Sequence, residues 1–468
     1  MSLQVLGQVI VVLSSPSAIK DLLERRGESY SDRPLFPLHE VLGLDWLLPA
    51  LRKGEVWSEG RKVLDRSLRP AAPISYRRMM EEKTRSFLGQ LFVTPTDFRD
   101  HVELLQGKLI MALTYGYDLK AYDDELIVAP VELNKVLAQS VLPGAVLMNH
   151  IPFIKHIHSW IPFLSQEAVA RRCRELGDRM RNGPIDFVWK SMREGTAAQS
   201  LASEHLQDVE HLSGPERQRQ EKVVKEALGS LFNAGSDTSV STMVSLFRAL
   251  SQYPSVQRRA QKELDSVIGR DRLPTFDDRP RLPYIDAICK ELLRWHPAVP
   301  LGFPHASTQD GIFNGHFIPK GATILANAWA VLHDPELYPD PETFNPERFL
   351  DAATTPTPTP TNRGGGGPGA SAQPPRFFRT NDPSLISLAF GAGKRICPGR
   401  HFVDATLFIL AASVMAVFDL EADAGRGDGD GSGAMESGLL LSPGRFGCII
   451  TARDALAKEL IAAYATID

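Results

Sequence analysis

Residues Phe390 to Arg400 read FGAGKRICPGR and place one cysteine, Cys397, among three glycines and a proline. Cysteine usually behaves as a small buried hydrophobe, yet this loop has few side chains that could shield a sulfur atom. Glycine lets a backbone approach a large flat group closely, and the basic residues Lys394 and Arg395 favour a thiolate over a thiol. The loop therefore predicts a sulfur that faces a bulky partner.

Three chemical roles are open to a thiolate in such a loop. A catalytic nucleophile needs a histidine base in a recognisable context, and no such signature lies beside Cys397. A structural zinc site needs several clustered ligands, whereas the HxH pair of His156 and His158 alone is typical of an ordinary loop. A single axial thiolate on haem iron needs one cysteine, a close backbone and amide donors that tune the sulfur. The loop offers all three, and an apolar helix follows it.

The overall composition is that of a globular protein with ample core. The 468 residues are 43% hydrophobic and 23% charged with a net charge of −4, which gives no reason to expect a nucleic-acid partner. No apolar run reaches the ~20 residues of a spanning helix, and Ala405 to Phe418 predicts a core helix. The other cysteines are far apart, which favours a reducing compartment over a disulfide framework: Cys173, Cys289 and Cys448.

Hydrophobic periodicity predicts a mainly α protein with small β-sheets. Two low-complexity segments, Asp351–Pro375 and Glu421–Gly433, lack apolar content and are expected to be surface loops. Strands are expected near the N-terminus and at Ile312–Phe317, Thr323–Ala326 and Gly438–Ile450. The predicted helices are Ala18–Arg26, Glu55–Arg69, Tyr76–Leu91, Phe98–Tyr115, Gln166–Glu194, Glu216–Ser251, Ser255–Ile268 and Tyr284–His296.

The cysteine loop resembles the haem-binding loop FxxGxRxCxG of the cytochrome P450 family, with every specified position present. The resemblance implies that Cys397 is the proximal thiolate ligand of haem b and that Arg395 pairs with a haem propionate. Phe390 and Gly391 would contact the same group. It also implies the cytochrome P450 fold, a triangular prism of helices around the haem, as a single domain over residues 1–468.

Two further motifs carry the resemblance. Glu291 and Arg294 form an ExxR pair on one helical face, and Arg348 lies in a PERF segment that pairs with it in the family. The implied role of this triad is structural. The stretch AGSDT, Ala234 to Thr238, puts poor helix formers inside a long helix, where the threonine hydroxyl can bond back to a carbonyl. Asp237 and Thr238 resemble the family's acid–alcohol pair and would be the catalytic residues that deliver protons.

Weaker elements point the same way. Trp57 and Arg61 resemble the family's WxxxR segment, which contacts a propionate, and His305 lies where the family often places another propionate ligand. The family needs an electron donor, and the resemblance implies an NADPH–cytochrome P450 reductase. Basic residues that could form its docking face are Arg52, Lys53, Arg61, Lys62, Arg66, Arg69, Lys394 and Arg400.

The resemblance covers nearly the whole chain and is closest to fungal microsomal members of the O-methylsterigmatocystin oxidoreductase type. It implies a monooxygenase that uses O2 on a lipophilic small molecule such as a terpenoid, polyketide or aromatic compound, in secondary metabolism. The alternatives are a P450-like isomerase or dehydratase that does not use oxygen, and a haem- or ligand-binding protein without activity. Segments expected to line the substrate site are Leu42–Leu51, Leu142–Phe163, Leu231–Ala234, Val299–Phe303 and Leu439–Phe446.

The resemblance also implies the cytosolic face of the endoplasmic reticulum membrane. Relatives carry an N-terminal membrane helix, whereas this sequence begins with an alternating strand pattern, so the alternative expectation is a soluble or peripheral protein without the usual anchor. The apolar stretch His150–Phe163 could contact a membrane surface.

Overall fold

The computed structural model describes residues 1–69, 72–120, 124–140, 147–151, 153–157, 166–350, 382–423, 435–436 and 438–465. The predicted loop Asp351–Pro375 lies outside these residues, as do most of Glu421–Gly433 and much of Leu142–Phe163. The described helices are α1 (Pro16–Ile19), α2 (Gly27–Tyr30), α3 (Pro37–Leu42), α4 (Glu55–Ser67), α5 (Ala72–Val93), α6 (Phe98–Tyr115), α7 (Glu125–Ser140), α8 (Leu147–His150), α9 (Ile154–Ile157), α10 (Glu167–Arg193), α11 (Leu201–Glu210), α12 (Gly214–Gln252), α13 (Pro254–Val267), α14 (Pro283–Trp295), α15 (Ala328–Leu332), α16 (Arg400–Val417) and α17 (Ala455–Ala465). The described strands are β1 (Ser2–Val5), β2 (Gln8–Leu13), β3 (His305–Ala306), β4 (Gly311–Phe313), β5 (His316–Ile318), β6 (Thr323–Ala326), β7 (Phe418–Ala422), β8 (Met435–Glu436), β9 (Ser442–Pro443) and β10 (Cys448–Ala452).

The longest helix, α12, runs through the centre of the protein. It begins after Ser213 with a proline in its first turn, where the missing N–H costs nothing, and ends just before Pro254. At 1.5 Å per residue its 39 residues span about 58 Å. It packs against α4, α6, α7 and α11, and its buried residues are part of the main hydrophobic core. The site described below lies at its middle.

A four-stranded sheet in the order β1-β2-β6-β3 stands at one edge of the helices. β2 pairs with β6 in parallel, whereas β1 and β3 pair antiparallel with their neighbours. The register puts His305 opposite Ile324. The sequence predicts strands near the N-terminus and at Thr323–Ala326, and in the structure these strands belong to one sheet.

Besides shifts at the ends of several predicted helices, three predicted β or loop segments differ from the structure. Ile312–Phe317 forms a hairpin, β4 and β5, because Asn314 and Gly315 both have positive φ and turn the chain. Within Gly438–Ile450 the strands are short, β9 and the start of β10. The predicted loop Glu421–Gly433 begins too early, since Glu421 and Ala422 belong to β7 and pair with β10.

The apolar helix after the cysteine loop is α16, which begins five residues before the predicted core segment. It is the one described helix that is long and apolar enough to cross a membrane, but 72% of that window is buried inside the protein. It packs on α5, α13 and α14. The prediction of a buried core helix is confirmed.

Candidate functional site

The cysteine loop takes its shape from two glycines with positive φ, Gly391 at 81° and Gly393 at 62°. A Cβ atom on Gly393 would overlap the carbonyl oxygen of Leu23, which lies in a π-helical turn, Lys20–Arg25. The Cys397 amide donates to the Phe390 carbonyl at 2.8 Å and closes the loop. Only glycine fits this close approach and this backbone region, so the loop rests directly on the N-terminal segment.

The Cys397 sulfur lies at the cavity wall beside the first turn of α16. Burial raises the pKa of its thiol, while the Gly399 amide and the Arg61 guanidinium act in the opposite direction. Arg400 also acts to lower this pKa, and its side chain donates to the Cys397 carbonyl at 3.0 Å. The described residues contain no group of three or more His, Cys, Asp or Glu that could hold a metal ion. The sulfur lines the cavity and is placed to act as one ligand of a group bound there.

A cavity of about 310 Å³ lies between the cysteine loop and α12. Four of the five segments predicted to line the substrate site contribute to it, through residues such as Leu48, Leu231, Val299 and Leu439. The fifth segment, Leu142–Phe163, is not represented among the described lining residues. All nine sequence-predicted site residues line this one cavity: Trp57, Arg61, Asp237, Thr238, His305, Phe390, Gly391, Arg395 and Cys397.

The edge of this cavity near the sheet carries an excess of positive charge. Arg395 donates from Nε to the Ser31 carbonyl at 2.8 Å, and its guanidinium lies over the Trp57 ring, 3.9 Å from the centroid. Its Nη1 and Nη2 atoms are buried without a hydrogen-bond partner in the described structure. Burial lowers the pKa of Arg395 to about 10. A buried cation with two unpartnered nitrogens fits a carboxylate ligand.

Neighbouring side chains complete this edge. Arg61 donates from Nη1 to the Ile396 carbonyl at 2.7 Å and from Nε to Asp65. The Nδ1 atom of His305 lies 3.1 Å from the Tyr30 carbonyl, so Nδ1 carries the proton. Burial lowers the pKa of His305 well below its usual range, and the neutral ring then offers Nε2 as an acceptor.

The lone sulfur, the close glycine backbone and the cationic edge fit haem b with a thiolate on its iron and carboxylates against Arg395. The sequence reasoning missed one member of the edge, Arg33. It is buried in the cavity wall and donates to the carbonyls of Pro49, Phe303 and Pro304 at 2.7 to 2.9 Å. The available signal was its place in the stretch Tyr30–Pro34, YSDRP, which resembles the family but was assigned no role.

On the opposite wall, the AGSDT stretch forms part of α12 without a break. The Thr238 hydroxyl donates to the Ala234 carbonyl at 2.9 Å, as the sequence predicts for a threonine inside a helix. Ala234 is exposed although it lies on the central helix, because it faces the cavity. Thr238 therefore presents its oxygen at the cavity wall, one helical turn after the exposed Ala234.

The carbonyls on either side of Ala234 also accept hydrogen bonds from side chains. Asn134 of α7 donates from Nδ2 to the Asn233 carbonyl at 3.1 Å, and Gln106 of α6 donates from Nε2 to the Gly235 carbonyl at 2.7 Å. Three successive carbonyls of α12 are thus held by side chains. Neither Asn134 nor Gln106 stood out in the sequence, because isolated amides on helices carry no motif.

Burial raises the pKa of Asp237 to about 6. A hydrogen bond from the Asn134 side chain acts to lower this pKa, the Glu103 carboxylate acts to raise it, and Lys135 acts to lower it. Asp237 therefore holds a proton at weakly acidic pH and releases it near neutrality. That is the range in which a carboxyl group works as a proton donor.

The ExxR pair, Glu291 and Arg294, lies on α14, and Arg348 contacts it from the segment Pro346–Phe349. Arg294 donates to the Glu291 carboxylate from Nε at 2.6 Å and from Nη2 at 2.8 Å, and both side chains are fully buried. The backbone N–H of Asn345 donates to the same carboxylate at 2.8 Å, and Arg348 Nε lies 3.4 Å from it. The predicted structural triad is present.

The predicted basic face is partly neutralised within the protein. Arg52 pairs with Asp32 at 2.7 Å, Arg66 pairs with Asp208, and Glu28 contacts both Lys53 and Lys394. Lys394 belongs to the cysteine loop, so Glu28 links this loop to the segment before α4.

The sequence model of the cytochrome P450 family matches residues 1–448. The chain is 34% identical over 461 residues to cytochrome P450 monooxygenase COX2 of Coprinopsis cinerea, with 98% of this chain and 83% of the relative covered. It is 36% identical over 466 residues to cytochrome P450 monooxygenase 208 of Postia placenta, covering 99% and 85%. Cytochrome P450 monooxygenase ppsD of Aspergillus oryzae is 33% identical over 466 residues, with 99% of this chain and 83% of the relative covered.

Among solved structures, a zebrafish cytochrome P450 determined with abiraterone is similar, with a TM-score of 0.72. The alignment covers 97% of this chain and 96% of that chain at 22% identity. This likeness confirms the predicted fold class, mainly α with small sheets.

Proposed function

This chain belongs to the cytochrome P450 family and is a fungal haem monooxygenase, and from that premise we propose that it inserts one oxygen atom of O2 into a lipophilic small molecule. The substrate class is a terpenoid, a polyketide or an aromatic compound of secondary metabolism. The observation that carries the proposal is the largely apolar cavity that has Cys397 on one wall and Thr238 on the other.

Haem with a cysteine thiolate on its iron supplies the activation of dioxygen in this family. We assign the thiolate to Cys397. Arg395 and Arg61 would hold the propionates. The Trp57 ring would pack against the Arg395 guanidinium, and Phe390 and Gly391 would pack against the macrocycle. A carboxylate beside His305 favours its protonated ring, which then donates from Nε2 as well as Nδ1.

The chain's own part in the reaction is to position the substrate, exclude water and supply protons. The apolar wall residues bury the substrate and expel solvent. The Thr238 hydroxyl donates to a carbonyl, which leaves its oxygen lone pairs free to accept a proton donor such as water. Asp237, one residue before it, holds the proton that this oxygen can pass on. The intact acid–alcohol pair disfavours the alternative of an isomerase or dehydratase.

Electrons come from a separate protein in this proposal, an NADPH–cytochrome P450 reductase with an acidic docking surface. The basic residues around the cysteine loop would form the docking face, with Glu28 as an internal competitor for Lys53 and Lys394. The proposed location is the cytosolic face of the endoplasmic reticulum membrane, with peripheral contact through exposed apolar residues.

The test is expression of the full chain with a fungal reductase in a host that supplies lipophilic precursors, followed by comparison of the metabolites. We expect oxygenated products with Cys448→Ser, the control cysteine variant, but none with Cys397→Ser. The carbon-monoxide difference spectrum of the reduced protein should show thiolate ligation in the former only. Thiolate ligation that survives Cys397→Ser would overturn the assignment.

A further inference from the structure

We propose that Asn134 and Asn233 form an amide pair that holds Asp237 in both protonation states. Asn134 donates to the carboxylate, and Asn233 accepts from the protonated acid. These are positioning residues, and the inference rests on the proton-delivering role proposed for Asp237.

The orientation of both amides follows from their partners. Nδ2 of Asn134 faces the Asn233 backbone carbonyl at 3.1 Å, and a carbonyl only accepts, so the nitrogen and oxygen of Asn134 cannot be exchanged. Oδ1 of Asn134 then accepts from Nδ2 of Asn233 at 2.6 Å. This second bond fixes Asn233 as well, with its Oδ1 turned away from Asn134.

This side-chain orientation leaves one acceptor of Asn233 without a donor. Oδ1 of Asn233 is buried and has no hydrogen-bond partner among the described residues, and the whole residue is only 3% exposed. An unpartnered buried acceptor is unfavourable and calls for a donor. Since α12 has 3.6 residues per turn, Asp237, four residues after Asn233, lies on the same face of the helix.

A protonated Asp237 is the donor that fits. An ionised carboxylate beside Asn233 Oδ1 would face another acceptor, whereas the acid O–H can donate to it. In the ionised state the second N–H of Asn134 takes over, because the Asn134 side chain lies where it favours the carboxylate and lowers the pKa of Asp237. Each state of Asp237 thus has one amide group of matching polarity.

The other charged groups that act on Asp237 come from the two helices that pack here. Glu103 of α6 favours the protonated acid, and Lys135 of α7 favours the carboxylate. In the described structure both act on Asp237 through charge rather than through a hydrogen bond, so they shift the balance between the two states without orienting the group. The orientation is left to the amide pair.

Infrared spectroscopy of the haem-loaded protein between pH 4 and 8 tests this without turnover. The carbonyl band of protonated Asp237 is the one that disappears in Asp237→Asn. In the wild type it should lie at the lower wavenumber of a hydrogen-bonded acid, and Asn233→Leu should move it upward. Asn134→Leu should raise the titration midpoint by about one pH unit, because it removes a donor to the ionised form.

The matched control is Gln106→Met, which removes a side-chain bond to the same turn of α12 but not to Asp237. It should leave both band and midpoint in place. A wild-type band at the position of a free acid, assigned through Asp237→Asn, overturns the proposal even if neither Asn233→Leu nor Asn134→Leu folds. An unmoved band in Asn233→Leu, an unmoved midpoint in Asn134→Leu, or equal shifts in Gln106→Met also overturn it. Full coupling of oxygen use to product in Asp237→Asn would instead remove the proton role and leave the infrared result standing.

Discussion

Removal of the Glu291 carboxylate should destabilise the protein far more than removal of an exposed acid. Glu291 accepts two hydrogen bonds from Arg294 and one from the Asn345 amide, and it contacts Arg348. In Glu291→Ala the Arg294 guanidinium stays fully buried and loses its counter-ion. Among the described residues, its remaining hydrogen bonds go to the carbonyls of Leu332, Pro341 and Thr343, and it still lies over the Tyr338 ring.

The magnitude follows from that burial. Breaking a buried ion pair by removing one partner costs about 3–5 kcal/mol, because a desolvated charge is left behind. A domain is stable by about 5–15 kcal/mol, so the loss is a large part of the total. The control, Asp208→Ala, breaks the Arg66 pair, whose side chains are 65% and 56% exposed, and should cost at most about 1 kcal/mol.

The assay is urea unfolding followed by circular dichroism, with haem content measured on the same samples. Glu291→Ala should unfold at a much lower urea concentration than the wild type, Glu291→Gln should be intermediate, and Asp208→Ala should match the wild type. Since the cofactor complicates a two-state analysis, midpoints are compared at equal haem saturation. If Glu291→Ala and Asp208→Ala shifted the midpoint equally, the reasoning from burial would be refuted.

Four other outcomes follow from the site. Thr238→Ala removes the hydroxyl at the cavity wall and should divert NADPH consumption from product to peroxide; an unchanged ratio would contradict the proton role. Gly393→Ala should prevent haem loading, because its Cβ would overlap Leu23, whereas Gly54→Ala, with open space around it, should load normally. Burial raises the pKa of Asp237 from its ordinary 3.8 to about 6, so the folded state binds the extra proton and stability should fall as pH rises from about 4 to 6. Asp237→Asn should show a weaker fall in the urea midpoint over that range. High salt should slow reduction by the reductase, and a salt-independent rate would count against a basic docking face.

The sequence predicted the parts of the site that are tied to a local motif. The Cys397 loop, the ExxR pair of Glu291 and Arg294, and the AGSDT stretch each depend on residues close together in the chain, so their geometry could be expected before the fold was known. Arg348 lies 57 residues after Glu291 and was added only through the family resemblance. The helix over Phe98–Tyr115 was predicted to the residue from its hydrophobic periodicity, and in the structure it ends where Gly116 has positive φ.

What the sequence could not predict are contacts between distant segments. Arg33, Asn134 and Gln106 reach the cavity wall only because α6, α7 and the N-terminal segment pack around α12. Their amides and guanidinium find backbone carbonyls up to 271 residues away, and no spacing rule connects such positions. The propionate roles of Trp57, Arg61 and His305 stay predictions.

The seat of the cysteine loop on Leu23 sets the order in which the protein can be completed during synthesis. The ribosome synthesises Leu23 long before Gly393, so the contact between them cannot form until most of the chain has been made. Contacts this far apart in sequence form late and slowly. The pocket for the cofactor therefore cannot close until the loop has been synthesised, and a translation product that stops before residue 393 lacks one of its walls.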